Sequence, residues 1–551
     1  MKYYDHQRRQ FLQHTALGIM TAALPGFVLA ENGQIKSRPS NIFKPDVEVE
    51  FISRVSEIPI MPGANTSVFK YYGKLLKGPQ TTLTVMPGYL GPILNLIQGQ
   101  KVRIWFYNQL PEPSIIHWHG MHVPQKMDGH PMYEINQGGR YVYEFEVKNP
   151  AGTNWYHSHT HEMTATQVYS GLAGLITVTD EQEQRLDLPG GEFDIPIIIQ
   201  DRRFTAGNQL QYIHRMRERM MGFLGDTILV NGKANSTIPV KTRAYRLRVL
   251  NGSNSRIYKL GWEDGTPLTV IGTDGGLLEK PETYPYIMLA PAERVELWVD
   301  FNGRELGSNL ELRSLEYSGV MPSHMHGGMR HGGRRMGRGM GMMMGGLSQG
   351  ESFPILKFHI TKNVSDSPTL PKTLIKMRGL TKQDVSNPAH PLSIAISMQH
   401  MSPQLNGRSF EMYDATSTEK IPVNTIQRII ISNDIDSMGA GMGGMRHGRG
   451  GMGGMRGGSM GMMMPMAHPI HLHGQQFKIL SRTLKIGGNI DSYATVKDGF
   501  ITSGWKDTVL VMPGEEIEIL KPFEDYKGLF LYHCHNLEHE DMGMMRNFYV
   551  V

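Results

Sequence analysis

The chain has 551 residues, 63 of them Gly and 32 Pro, with 19% charged; that length suits three domains of ordinary size rather than one. Its formal charge of +5 is local. Seven arginines lie in two Met/Gly-rich segments, 321–346 and 438–466, that contain no Asp or Glu, and without them the remainder stands at −2, so no general attraction to nucleic acid is indicated.

From the N-terminus, Gln7-Arg8-Arg9-Gln10-Phe11-Leu12 is followed by a modest apolar run and by Val28-Leu29-Ala30. A basic start, a short hydrophobic stretch and small residues at its end make residues 1–30 an export signal. The paired arginines before Phe-Leu look like a twin-arginine signal, which predicts a periplasmic protein exported already folded, starting near Glu31. Beyond it no segment is apolar enough to span a membrane.

The remainder reads as β-structure, with short Val/Ile/Tyr-rich runs bounded by Gly, Pro, Asn or Asp. Residues 102–108 (VRIWFYN) are echoed by 245–251 (YRLRVLN) and 427–433 (QRIIISN), each an alternating strand closing on a turn-forming Asn. A second strand follows each copy, at 138–147, 291–300 and 513–520. Three such pairs predict an all-β chain of three homologous Greek-key sandwiches, over 45–180, 181–362 and 363–551. The two Met/Gly-rich segments cover 55 residues and hold 18 of the 38 methionines; so much Gly predicts loops rather than strand or helix.

Four His-X-His pairs occur: His117/His119, His157/His159, His471/His473 and His533/His535. On a strand, residues i and i+2 share a face, so each pair aims two imidazoles at one place. Two pairs lie in the first domain and two in the last, so a meeting of those domains would converge eight imidazoles, enough for three metal ions.

The single cysteine, Cys534, excludes an internal disulfide. It sits between His533 and His535 and points to the opposite side of the strand, so one piece of backbone touches two metal sites. His539, Met544 and the upstream His468 complete a Cys, two His and a weak axial Met, the ligand set of a trigonal blue-copper site.

These four motifs, in this order and in these domain positions, resemble those of the multicopper oxidases over nearly the whole mature chain. The resemblance implies cupredoxin-like domains and four copper ions. One type 1 copper would be held by His468, Cys534 and His539 with Met544 axial, and a type 2 copper by His117 and His471. A type 3 pair would be held by His119, His157, His159, His473, His533 and His535. It also implies that Asp128 and Glu540 are carboxylates relaying protons for reduction of O2 to water. Trp118 and Trp155 are expected to pack rather than to carry electrons.

The subfamily most similar is that of bacterial periplasmic copper-tolerance oxidases, which oxidise Cu(I) and carry methionine-rich segments. Thioethers are soft, uncharged ligands that favour Cu(I) and survive an oxidising compartment. The 438–466 segment ends just before His468, which makes Met464 and Met466 candidates for contact with substrate copper. The chain departs from that subfamily in three ways: the usual insert region (about 398–412) is short, Met464 replaces an acid four residues before His468, and the arginines would repel a cation. A laccase-like or bilirubin-oxidase-like enzyme taking electrons from small phenols or pyrroles is the first alternative, and a copper-sequestering protein the second. A monomer is expected, with O2 and the electron donor as its partners.

Overall fold

The structure, a computed structural model, describes residues 37–213, 215–321, 347–399, 402–434 and 466–551. The signal-like stretch, Met464 and all but the ends of the two Met/Gly-rich segments lie outside the described residues.

The three echoed motifs form the strands Lys101–Asn108, Ala244–Asn251 and Thr425–Ser432. Each pairs antiparallel with the second strand anticipated for it: Arg140–Glu146, Arg294–Asp300 and Glu515–Phe523. On its other side each takes a parallel neighbour, Val47–Ile58, Asp194–Arg202 and Leu392–Gln399. That neighbour in turn pairs antiparallel with Thr66–Lys77, Thr227–Val230 and Ser402–Leu405. The same four-strand order therefore recurs three times, and each copy faces a five-stranded second sheet across a buried apolar core. These are three cupredoxin-like sandwiches. Among the described residues no helix is long and apolar enough to cross a membrane.

The closing asparagines do equivalent work. Asn108, Asn251 and Asn433 each donate both side-chain N–H groups to backbone carbonyls on two different segments, tying the strand end to the loops beside it. For Asn433 one acceptor is the carbonyl of Met466, 2.8 Å away.

Alternation of burial holds in Lys101–Asn108 and largely in Thr425–Ser432, but Ala244–Asn251 is buried on both faces. Its polar face carries Arg246 and Arg248, which pair with Glu296, Glu183 and Asp194. Buried charge of this kind is tolerated only when paired and hydrogen-bonded.

Two apolar clusters join the sandwiches. One packs Leu90, Trp155 and Leu175 against Ile198, Leu250 and Ala292; the other packs Ile257, Met288 and Val320 against Ala467, Leu510 and Met512. They fix the first and third sandwiches to the second.

Candidate metal centre

Short strands at the ends of the first and third sandwiches present the histidines. Ile116–His117 pairs with Gly152–Ser158 so that His117 faces His157, and His468–Leu472 pairs with Gly528–Cys534 so that His471 faces His533. One correction to the strand argument follows. Only the first histidine of each pair lies in a strand; His119, His159, His473 and His535 lie just past the strand end. The second rings still reach the cluster, His119 against His157 and His471, His159 and His473 against His533, and His535 against His119 and His157.

All eight rings are fully buried and form one cluster. His117 stacks on His473 at 3.9 Å between centroids, and His119 on His471 at 3.7 Å. Nitrogen faces nitrogen across the centre: His473 Nε2 and His159 Nε2 stand 3.1 and 3.4 Å from His533 Nε2, and His119 Nδ1 stands 3.4 Å from His157 Nε2. His535 lies 5.1 Å from His119 and 5.3 Å from His157, ring to ring.

The outer nitrogens of four rings are held by backbone and carboxylate oxygens. Backbone carbonyls of Asp128, Ser158 and Asp507 accept from Nδ1 of His117, His157 and His471, and the Asp128 carboxylate accepts from Nδ1 of His473 at 2.7 Å. These contacts assign the tautomers and leave Nε2 lone pairs turned inward. Nε2 of His117, Nε2 of His471 and both ring nitrogens of His535 have no hydrogen-bond partner among the described residues. Burial lowers the proton affinity of these rings, to a pKa of about 3 for His117 and well below the ordinary value for His119, His157, His159, His471, His473 and His535. A buried cluster of neutral imidazoles with inward, unpartnered lone pairs fits metal ions, which require deprotonated ligands.

Across the strand Gly528–Cys534 lies a second group. Cys534 Sγ is 3.5 Å from His468 Nδ1 and 3.8 Å from His539 Nδ1, all fully buried. The buried Met544 ties to the same group through backbone bonds, its N–H to the His539 carbonyl and its carbonyl from the Cys534 N–H. The N–H of Asn536 points at Sγ from 3.4 Å, while burial, with the Glu540 and Glu538 charges nearby, pushes the thiol pKa up. His539 donates Nε2–H to the Met220 carbonyl at 3.0 Å, leaving Nδ1 free toward the sulfur. A thiolate and two imidazoles at these separations fit a copper site. One backbone segment thus serves both groups: Sγ of 534 faces one and the rings of 533 and 535 face the other.

The helix Leu537–Asp541 binds the centre to its surroundings. Glu538 accepts from Ser255, Tyr212, Asn254 and the Phe223 N–H; Asp541 accepts from the N–H groups of Thr164 and Ala165. Between them Glu540 lies with one oxygen 2.9 Å from His533 Nδ1 and the other 3.6 Å from His159 Nε2. A cavity of about 400 Å³ runs from exposed Glu162 past Phe410 to Glu540 and His159. Asp128, on the opposite side, is buried, and burial raises its carboxyl well above the ordinary range.

Trp118 packs within the first core, as expected. Trp155 also packs, but against the site itself, stacked on His157 at 4.1 Å. Met466 is buried just before His468. Sequence reasoning missed Asp507, Arg294, Glu538 and Met220. No motif marks Asp507 or Arg294, whereas Glu538, adjoining His539, was open to suspicion as an acid in a buried stretch.

Comparison with known proteins agrees with this geometry. Family models described as multicopper oxidase match residues 69–183 and 384–551. A multicopper oxidase of Staphylococcus haemolyticus is 31% identical, over 84% of this chain and 83% of its own. A laccase of Bacillus subtilis is 28% identical, over 83% and 87%. The McoA multicopper oxidase of Aquifex aeolicus superposes with a TM-score of 0.70 at 29% identity, over 92% of this chain and 97% of its own. With its converging histidines and its buried Cys534 group, the chain belongs to the multicopper oxidases.

Proposed function

We propose that the enzyme holds four copper ions and couples one-electron oxidation of Cu(I) to four-electron reduction of O2 to water, in periplasmic copper detoxification. The type 1 copper is assigned to His468, Cys534 and His539 with Met544 axial, the type 2 copper to His117 and His471, and the type 3 pair to the other six histidines. When bound, these ions supply the one-electron redox steps that organic side chains lack.

The observation that carries this reading is the position of Cys534. A sulfur facing one site, joined through the backbone to the imidazoles of the residues directly before and after it, which face the other, gives a continuous covalent path and keeps the electron donor away from oxygen. Burial favours the neutral form of His117, His119, His157, His159, His471, His473 and His535. Glu540, beside His533 and His159 at the inner end of the cavity, is suited to deliver protons from the surface; Asp128 holds His473 and, through its carbonyl, His117.

The Cu(I) donor rests on the thioether-rich segment that ends at Met466, with Met464 and Met466 as its candidate ligands, and export rests on the Arg8-Arg9 signal pattern. The laccase relative favours a second reading, in which small phenols donate the electrons. Oxygen uptake during addition of Cu(I) tests the first: four ions consumed per O2 support it, and uptake of copper without loss of oxygen would mean sequestration. Deleting residues 438–466 separates the donors. Loss of Cu(I) turnover with phenol turnover kept or raised supports a cuprous port; unchanged Cu(I) kinetics refutes it.

A further inference from the structure

We propose that Asp507, locked by Arg294, is a positioning residue that selects the ring orientation of His119 and fixes His471, and that through it the second sandwich shapes the three-copper end. The inference rests on the four-copper reading above.

Asp507 touches two candidate ligands from two sandwiches. Its Oδ1 lies 3.0 Å from His119 Nε2, and its backbone carbonyl accepts from His471 Nδ1 at 2.9 Å. The next residue, Thr508, places Oγ1 3.2 Å from His471 Nδ1 and 3.4 Å from His119 Nε2. His119 therefore differs from its neighbours. His117, His157, His471 and His473 are held at Nδ1 and turn Nε2 inward. His119 is held at Nε2 and turns Nδ1 toward His157. A carboxylate can only accept, so it stabilises the Nε2–H tautomer and leaves the Nδ1 lone pair for a metal.

Asp507 also lies within reach of both rings as if it were a ligand itself. It is not free to be one. Arg294 of the second sandwich occupies both carboxylate oxygens, Nη1 to Oδ1 at 2.7 Å and Nη2 to Oδ2 at 2.6 Å. The guanidinium is fixed in turn, donating Nε–H to the Thr153 carbonyl and its remaining N–H groups to the carbonyls of Ala292 and Asp274. Every donor of the rigid fork is engaged, which a lysine could not reproduce. Gly120, directly after His119, has φ +89°, and a Cβ there would stand 2.6 Å from Arg294 Nη2 and 2.9 Å from Asp507 Oδ2. The backbone after His119 lies against the pair so closely that only glycine fits.

The test uses copper-loaded Asp507→Asn and the milder Arg294→Lys. Three readouts are taken: copper per chain, the blue absorption of the Cys534 site, and the electron paramagnetic resonance of the type 2 copper during titration with a chelator. Both variants should keep the blue band, which reports that the fold and the sulfur site are intact. Because Asp507 Oδ1 also lies 3.6 Å from His471 Nδ1, the type 2 signal should shift, and copper outside the blue site should be lost at roughly ten-fold lower chelator or less, the range seen when partners of metal-bound histidines are removed. If Asn at 507 prevents folding, Arg294→Lys carries the test with the same expectation, smaller in size. A wild-type type 2 spectrum and wild-type copper retention in blue, folded variants would overturn the proposal. A wild-type protein with no type 2 signal would overturn it together with the four-copper reading.

Discussion

One carboxylate oxygen of Glu540 lies 2.9 Å from Nδ1 of His533, the histidine that directly precedes Cys534. The other oxygen is turned toward His159, at the inner end of the cavity. Glu540→Gln keeps the shape and removes the ability to exchange a proton. Steady-state oxygen reduction should fall on the order of 10²-fold or more, the usual worth of a positioned acid–base group. Reduction of the blue copper by donor in the absence of oxygen, followed by stopped flow, should keep its wild-type rate. Equal loss in both measurements would assign Glu540 a structural role only.

Cys534→Ser should abolish the blue band and bring turnover to background, with one copper fewer per chain. The remaining coppers should be retained, because His117, His119, His157, His471, His473 and His533 of the other group are held by Asp128, Ser158, Asp507 and the Cys534 backbone carbonyl rather than by the sulfur. Metal analysis together with visible spectroscopy checks this. Loss of all copper would mean that the two groups are not independently built.

The three echoed strands were visible in the sequence because alternation and a closing Asn are local properties, and their antiparallel partners lay close downstream. Their parallel neighbours were not, since Val47–Ile58 and Leu392–Gln399 meet their partners only through long connections. The candidate copper ligands were legible for a similar reason: His-X-His and the run from His533 to Met544 compress the chemistry into short motifs. Asp507 and Arg294 are 213 residues apart and belong to different sandwiches. A lone Asp before one strand and a lone Arg in another carry no mark until the fold brings them together. Met220 escaped for a different reason, since its contribution is a carbonyl, which every residue has.

Glu538 is the link between the helix Leu537–Asp541 and the second sandwich, accepting from Ser255, Asn254, Tyr212 and the Phe223 N–H. Glu538→Gln turns one acceptor into a donor among groups that all donate, at a cost of about 1–3 kcal/mol. The expected result is a fall of several degrees in the temperature at which the blue colour is lost, since His539 is the next residue. A variant that bleaches at the wild-type temperature would show that the link contributes little.

Stability should fall on acidification, and the buried histidines set the window. Burial lowers the pKa of His122, His130 and His539 to about 4, against about 6.5 in an unfolded chain. Between these values the unfolded state binds more protons than the folded one, so stability is fully present above about pH 6.5 and drains away as pH falls through about 4. Each such group contributes up to about 1.4 kcal/mol per pH unit in that interval. His122, whose Nε2 lies 2.8 Å from Asp525, and His130, whose Nε2 lies 2.9 Å from Asn547, are not candidate ligands, so the effect should persist in copper-loaded protein. Urea midpoints measured from pH 7.5 to 4.5 should stay level to about pH 6.5 and decline below it, and His122→Gln should make the decline shallower. A midpoint that stays level or rises as the solution is acidified below about pH 6.5 would contradict the neutral, buried state of these rings.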